Sequence, residues 1–183
     1  MTEAVLPPQL ETLAHDFRHS ADEARTVLLY AEEARVRKRP KPHDWSALEC
    51  MVHLNLSAQA MLPGIREAVA AAAAIPSASR PYRVDFAGRV LAWSLEPPAL
   101  IKMKTAKIAE PLEAAGPESA LTEFESLHNQ LVELLHDSAG KASDAQKLKS
   151  PFADVHYNAY SAFRIIAAHD RRHLWQARKA LSH

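Results

Sequence analysis

The sequence has little glycine and one cysteine, and each shortage excludes a class of protein. Four glycines in 183 residues form no glycine-rich loop of the kind that holds nucleotide phosphates. The single cysteine, Cys50, cannot form an internal disulfide framework, so a cytoplasmic protein is expected. Neither sign of charge is in excess, since 22 Lys and Arg balance 22 Asp and Glu. The chain therefore has no basic footprint of a nucleic-acid-binding protein.

Long hydrophobic runs are missing as well. Residues 1–10 have neither the positively charged start nor the apolar centre of a signal peptide. The longest run of small apolar residues, 68–75, is far shorter than the roughly 20 residues that span a bilayer. Apolar residues nevertheless make up 48% of the chain, which is typical of folded globular proteins. We expect one folded domain with a sizeable core and no affinity for membranes.

Apolar residues recur at helical spacing in four long segments. The predicted helices run from about Gln9 to Arg39, from about Ala47 to Ala74, over 118–138, and from about Ala153 to Leu181. No strand-type alternation is found. Four apolar stripes are buried most simply in a four-helix bundle, so we predict an all-α protein with one domain over residues 9–181.

The stretch between Pro76 and Pro117 has the weakest pattern. Residues 83–94 have helical spacing, and Pro97 with Pro98 interrupts it. Residues 99–110 fit either a short helix or a loop packed across the bundle. Three aromatic side chains recur at helical spacing here, which favours the core over a pocket lining: Tyr82, Phe86 and Trp93.

Two histidine pairs occur in the same sequence pattern, H-D-x-R-H, at residues 15–19 and 169–173. Histidines four apart stand one turn above the other on a helix face, from which both imidazoles reach one metal ion. At about 100° per residue, His15 and His19 lie opposite the apolar stripe of the first helix and should face solvent. In the last helix His173 lies within the apolar arc and His169 at its edge. Buried imidazoles need partners, so the second pair is the candidate for a metal site.

A second motif opens the second helix. Residues 45–54 read W-S-A-L-E-C-M-V-H-L, with a predicted capping box of Ser46 and Glu49. Residues 169–176 read H-D-R-R-H-L-W-Q. Together the two motifs resemble the W-S-x-x-E-x-x-x-H-L and H-x-x-R-H-x-x-Q patterns of the DinB/YfiT-like superfamily of small helical bundles. The resemblance extends in helix order and spacing over nearly the whole chain.

This resemblance implies a fold and a metal site. The implied bundle has a long crossover between its second and third main helices, which the stretch 76–117 would supply. The implied site has three histidine ligands: His53, His169 and His173. Three ligands leave at least one coordination position open, which suits a catalytic divalent ion rather than a closed structural site. Zinc or nickel is expected first, with iron or manganese as alternatives.

Other polar side chains of the two motifs are candidates for orienting the ligand imidazoles: Glu49, Asp170 and Gln176. No catalytic side chain is predicted, because a metal-bound water or thiolate would carry the reaction. Cys50 is not expected to be a nucleophile, since it lies in a helix interior and is more simply explained by packing.

The superfamily is chemically diverse, so the function stays open between classes. The first hypothesis is a metalloenzyme acting on a small molecule, either a thiol-dependent S-transferase or a metal-dependent hydrolase. The alternative is a non-catalytic, stress-associated bundle that binds a metal or a ligand. Pairing of two chains through an exposed apolar helix face is mildly favoured by the resemblance.

Overall fold

The computed structural model describes residues 6–75, 81–98, 104–111 and 116–182. Two strands of three residues each, β1 (Lys147–Lys149) and β2 (His156–Asn158), pair antiparallel. Within the described ranges all other long elements are α-helices: α1 (Pro8–Leu29), α2 (Glu33–Arg37), α3 (Ala47–Ala71), α4 (Phe86–Leu95), α5 (Pro117–Ser138) and α6 (Ala159–Leu181). The predicted all-α fold is confirmed.

Helices α1, α3, α5 and α6 form the predicted four-helix bundle. Both α1 and α3 pack against α5 and α6, whereas α1 and α3 touch each other little. Those two helices therefore stand at opposite corners. Phe17, Phe124 and Phe163 are fully buried between the helices. Helix α4 lies in the connection between α3 and α5 and packs on α6, as the predicted crossover requires.

Polar caps fix where the site-bearing helices begin. The Ser46 hydroxyl accepts from the Glu49 amide (3.2 Å), and the Glu49 carboxylate accepts from the Ser46 amide (2.9 Å). This is the predicted capping box, which satisfies two otherwise free donors at the start of α3. At the start of α6, the Asn158 side chain accepts from the Ser161 amide at 2.7 Å.

Two helix boundaries were predicted wrongly. The first helix ends at Leu29 rather than Arg39, and α2 follows after a turn. This turn brings Val36 back into a core cluster with Leu48, whereas a straight helix of that length would carry it past the bundle. The last helix begins at Ala159 rather than Ala153 because β1 and β2 precede it. Strands of three residues are too short for alternation to reveal them.

The prediction that all three crossover aromatics are buried is wrong for two of them. Tyr82 is buried, but Phe86 is 81% exposed and Trp93 is 70% exposed. Helix α4 packs on α6, and its buried residues are Gly88, Ala92 and Leu95. Apolar side chains occur on both faces of α4, so spacing alone could not identify the buried one.

The rest of the crossover prediction is tested only in part. Residues 99–103 lie outside the described residues, and Lys107–Ala109 forms one turn of 3-10 helix.

No described helix combines the length and the apolar content that crossing a bilayer requires.

Candidate metal centre

Three imidazoles converge between α3 and α6. His53 projects from α3, and His169 and His173 project from adjacent turns of α6. One ring nitrogen of each lies within 4.8 Å of those of the other two. Nε2 of His53 and Nε2 of His169 are 3.1 Å apart. Nitrogens that share a tetrahedral zinc ion are about 3.4 Å apart, given Zn–N bonds of about 2.1 Å. The three residues predicted as ligands are therefore brought together, and the separation between His53 and His169 is close to that of two nitrogens bound to one ion.

A backbone carbonyl fixes the orientation of His53. Nδ1 of this ring donates to the carbonyl oxygen of Ala109 at 2.7 Å. Because Nδ1 then carries the proton, the lone pair is on Nε2, which faces His169. Sequence reasoning missed Ala109, and no side-chain signal could have revealed it, since any residue there would offer the same carbonyl.

His173 carries a buried nitrogen that needs a partner. Among the described residues, its Nδ1 is buried and has no hydrogen-bond partner. Such an orphaned atom costs free energy unless something unseen satisfies it, and a metal ion is one group that would. The Trp45 ring packs against the site, with its centroid 4.8 Å from that of His53 and 5.8 Å from that of His173.

Burial keeps the three imidazoles neutral. Together with the neighbouring His53 and Arg172, it lowers the pKa of His169 to about 3. Burial also lowers the pKa of His173, with His169, His53 and Arg172 acting in the same direction. For His53, burial lowers the pKa against the effect of the Ala109 hydrogen bond. Neutral rings have the free lone pair that metal binding requires.

Two of the three predicted orienting residues have their hydrogen bonds elsewhere. Burial acts to raise the pKa of Glu49, but bonds from Arg39 and Ser46 lower it overall. Both carboxylate oxygens of Glu49 accept from Nε of Arg39, at 3.0 and 2.9 Å. As the third residue of α3, Glu49 turns back toward the helix start and not along the helix to His53.

Asp170 faces a different helix from its histidine neighbours. Its Oδ2 forms a hydrogen bond of 2.9 Å with Nε2 of His128 on α5, and Nδ1 of His128 donates to the Phe124 carbonyl at 2.8 Å. Burial raises the pKa of Asp170, and His128 opposes that shift. Only Gln176 acts on a ligand imidazole: its side chain works against the lowered pKa of His173. It does so without satisfying Nδ1.

The first histidine pair lies apart from this centre. His15 and His19 are exposed, as predicted, and their rings stack with centroids 6.3 Å apart. In the part of the chain that the structure describes, one group of three metal-binding side chains is found, and neither residue belongs to it.

The sequence profile of the DinB superfamily matches residues 9–177, a range that includes all three converging histidines. The chain belongs to the DinB superfamily. A solved member of this fold, YfiT from Bacillus subtilis, superposes with a TM-score of 0.63 at 13% sequence identity. The match covers 98% of this chain and 90% of YfiT. YfiT is described as a probable metal-dependent hydrolase with an unusual four-helix bundle topology. No curated protein sequence matches this DinB superfamily chain significantly.

Proposed function

We propose that this DinB superfamily protein is a metal-dependent hydrolase of a small molecule, with its divalent ion held by His53, His169 and His173. The observation that carries the proposal is the convergence of three neutral imidazoles from two helices. The buried Nδ1 of His173, which has no described partner, supports it. The description of YfiT, which shares the fold, as a probable metal-dependent hydrolase points the same way.

The donor set fits a catalytic ion. Imidazole nitrogens suit zinc or nickel, and also iron or manganese. A set of three leaves a position for water or substrate. A divalent ion held there supplies Lewis-acid chemistry, activating water and polarising a carbonyl or phosphoryl group. The carbonyl of Ala109 would hold the His53 ring in its tautomer, and the Trp45 ring would exclude water from one side.

Arg172 would add a fixed positive charge beside the ion. Its side chain is 8% exposed, and Nη1 donates to the Ser94 carbonyl at 3.1 Å. It lies near enough to lower the pKa of His169 and His173. Hydrolysis of esters, amides and phosphoesters develops negative charge on a substrate oxygen, which a preorganised cation stabilises. Arg172 is thus a candidate for stabilising the transition state.

The test compares metal-dependent turnover in His53→Ala and in the parent. Protein purified without a histidine tag is reconstituted with zinc, nickel, iron or manganese and given chromogenic esters, amides and phosphoesters. We expect turnover in at least one combination of metal and substrate. His53→Ala should reduce it about 100-fold or more, a loss of the size often seen when one group is removed from a catalytic centre. His15→Ala is the matched control. Equal activity in the parent and in His53→Ala would refute the proposal.

Other outcomes would support other functions. Product that forms only when a low-molecular-weight thiol is added would favour a thiol-dependent transferase. Metal bound without turnover of any substrate would favour the non-catalytic bundle. The identity of the ion, the cytoplasmic location, the homodimer and the single domain over residues 9–181 stay predictions.

A further inference from the structure

A second candidate site lies between α4 and α6. A cavity of about 620 Å³ opens there, and none of the three converging histidines lines it. This volume falls within the range of about 300–1,000 Å³ that is usual for small-molecule sites. Its walls come from the segment before α4, from α4 itself and from Arg164 on α6. The cavity is therefore separate from the metal centre and needs an account of its own.

Positive charge dominates the lining. Arg83, Arg89 and Arg164 all line the cavity and are exposed. None of the three takes part in an ion pair among the described residues. Among the described lining residues, the acidic one is Glu96, and its carboxylate already accepts two bonds from Arg171, at 3.0 and 2.6 Å.

Such an arrangement favours an anionic ligand. Unpaired guanidinium groups around one cavity repel one another, and an anion between them would relieve that repulsion. The planar fork of each guanidinium matches a carboxylate or a phosphate with two hydrogen bonds.

Hydrogen bonds to Asp85 join the two walls at one end of the cavity. Oδ1 of Asp85 accepts from the Gly88 amide (2.9 Å) and from the Ser161 hydroxyl (2.9 Å). Its Oδ2 accepts from the Asn158 amide at 2.8 Å. A Cβ on Gly88 would lie 2.2 Å from Cβ of Ser161, so only glycine allows this approach. A cavity held this way is preorganised, which lowers the entropic cost of binding.

An exposed aromatic ring borders the arginines. Trp93 lines the cavity and is 70% exposed, an unusual position for so large an apolar side chain. Tyr82 also lines the cavity but is buried, with its hydroxyl donating to the Ser138 carbonyl at 2.8 Å. An indole face beside guanidinium groups offers a stacking surface for a planar group.

We propose that this arginine groove, formed by Arg83, Arg89, Trp93 and Arg164, binds a small organic anion. The carboxylate or phosphate of the ligand lies among the guanidinium groups, and its planar part stacks on Trp93. The site works independently of the metal centre.

The test is a calorimetric titration with phenyl phosphate, using protein treated with a chelator and then desalted so that no metal ion can bind the probe. We expect saturable binding of one molecule per chain. Arg164→Gln should weaken it about 10-fold or more, the loss of one charge-assisted hydrogen bond. Arg35→Gln removes an exposed arginine from α2, outside the groove, and should change the affinity less than about 2-fold.

Trp93→Ala distinguishes the contribution of the phenyl ring to binding from that of the phosphate. It should weaken phenyl phosphate while leaving the weaker binding of inorganic phosphate unchanged; an equal loss for both would refute the stacking role. The proposal as a whole is overturned by no saturable binding at about 10 mM probe, beyond the millimolar range of weak complexes. It is equally overturned by the same loss in Arg35→Gln and Arg164→Gln, or by binding that chelation abolishes.

Discussion

The two copies of H-D-x-R-H occupy opposite environments in one bundle. In α1, His15 and His19 stand in solvent. In α6, His169 and His173 meet His53 from α3. Spacing along the helix is the same in both copies, so it does not decide which pair forms a site. The decisive difference is whether a neighbouring helix brings a third imidazole to the same face.

The acidic residues of the two copies differ in the same way. Asp16 pairs with Arg171 at 3.0 Å, and both side chains are more than 30% exposed. Asp170 pairs with His128 at 2.9 Å, and both side chains are 3% exposed. The second copy thus combines a candidate metal pair on one face of α6 with a buried polar pair on another. A short motif specifies the local geometry, and the packing specifies what that geometry can do.

Metal content should give the largest contrast between the copies. We expect about one divalent ion per chain in the parent protein and none in His173→Ala, because two imidazoles bind far more weakly than three. The double change of His15 and His19 to Ala should leave the content unchanged. Elemental analysis of untagged protein measures this. Loss of metal in the double variant, with retention in His173→Ala, would show that the first pair is the site.

Replacing the aspartate of each copy should lower the free energy of unfolding by different amounts. Asp170→Ala leaves Nε2 of His128 buried without its hydrogen-bond partner, which should lower the free energy of unfolding by about 3 kcal/mol. Asp16→Ala breaks a partly exposed ion pair and should cost less than about 1 kcal/mol. Urea denaturation of chelator-treated protein measures both, so that metal binding does not contribute. Similar losses for the two variants would mean that the buried pair adds no more than the surface pair.

Acidification should also distinguish the copies. Burial keeps the pKa of His169 at about 3, against 6.5 for the unperturbed side chain. The unfolded chain therefore binds more protons between these values, and the free energy of unfolding falls as the pH is lowered from about 6.5 toward about 3. For one imidazole the slope is at most about 1.4 kcal/mol per pH unit.

The measurement is denaturation of metal-free protein across the upper part of that window. His169→Gln should flatten the dependence, and His15→Gln, which changes an exposed histidine outside the site, is the matched control. A slope that His169→Gln does not alter would contradict the burial argument.

Much of the candidate site could be predicted from the sequence because it depends on local rules. The capping box of Ser46 and Glu49 follows from residue types three apart. The faces of His169 and His173 follow from the helical period. That His53 would join them followed from the family resemblance and from the apolar surfaces of both helices.

What could not be predicted depends on neighbours. Residues 30–32 contain neither proline nor glycine, so no local signal marks the turn that brings Val36 back to the core. Helix α4 is apolar on two faces, and only its packing on α6 shows which is covered. The partners of Asp170 and His53 are His128 and the Ala109 carbonyl, and neither is visible before the elements are packed together.

The arginines of the two copies should give the smallest contrast. Arg172 is 8% exposed and donates to the Ser94 carbonyl, whereas Arg18 is exposed and stands 3.5 Å from Glu11. Replacing Arg172 with Met removes that hydrogen bond but also relieves the burial of a charge, so the net loss should be about 1 kcal/mol. Arg18→Met should change the free energy of unfolding by less than about 0.5 kcal/mol. Urea denaturation of the metal-free variants resolves this difference. If Arg172→Met were as stable as Arg18→Met, the buried guanidinium would add nothing to the fold, and its proposed role beside the metal would be the remaining account of its position.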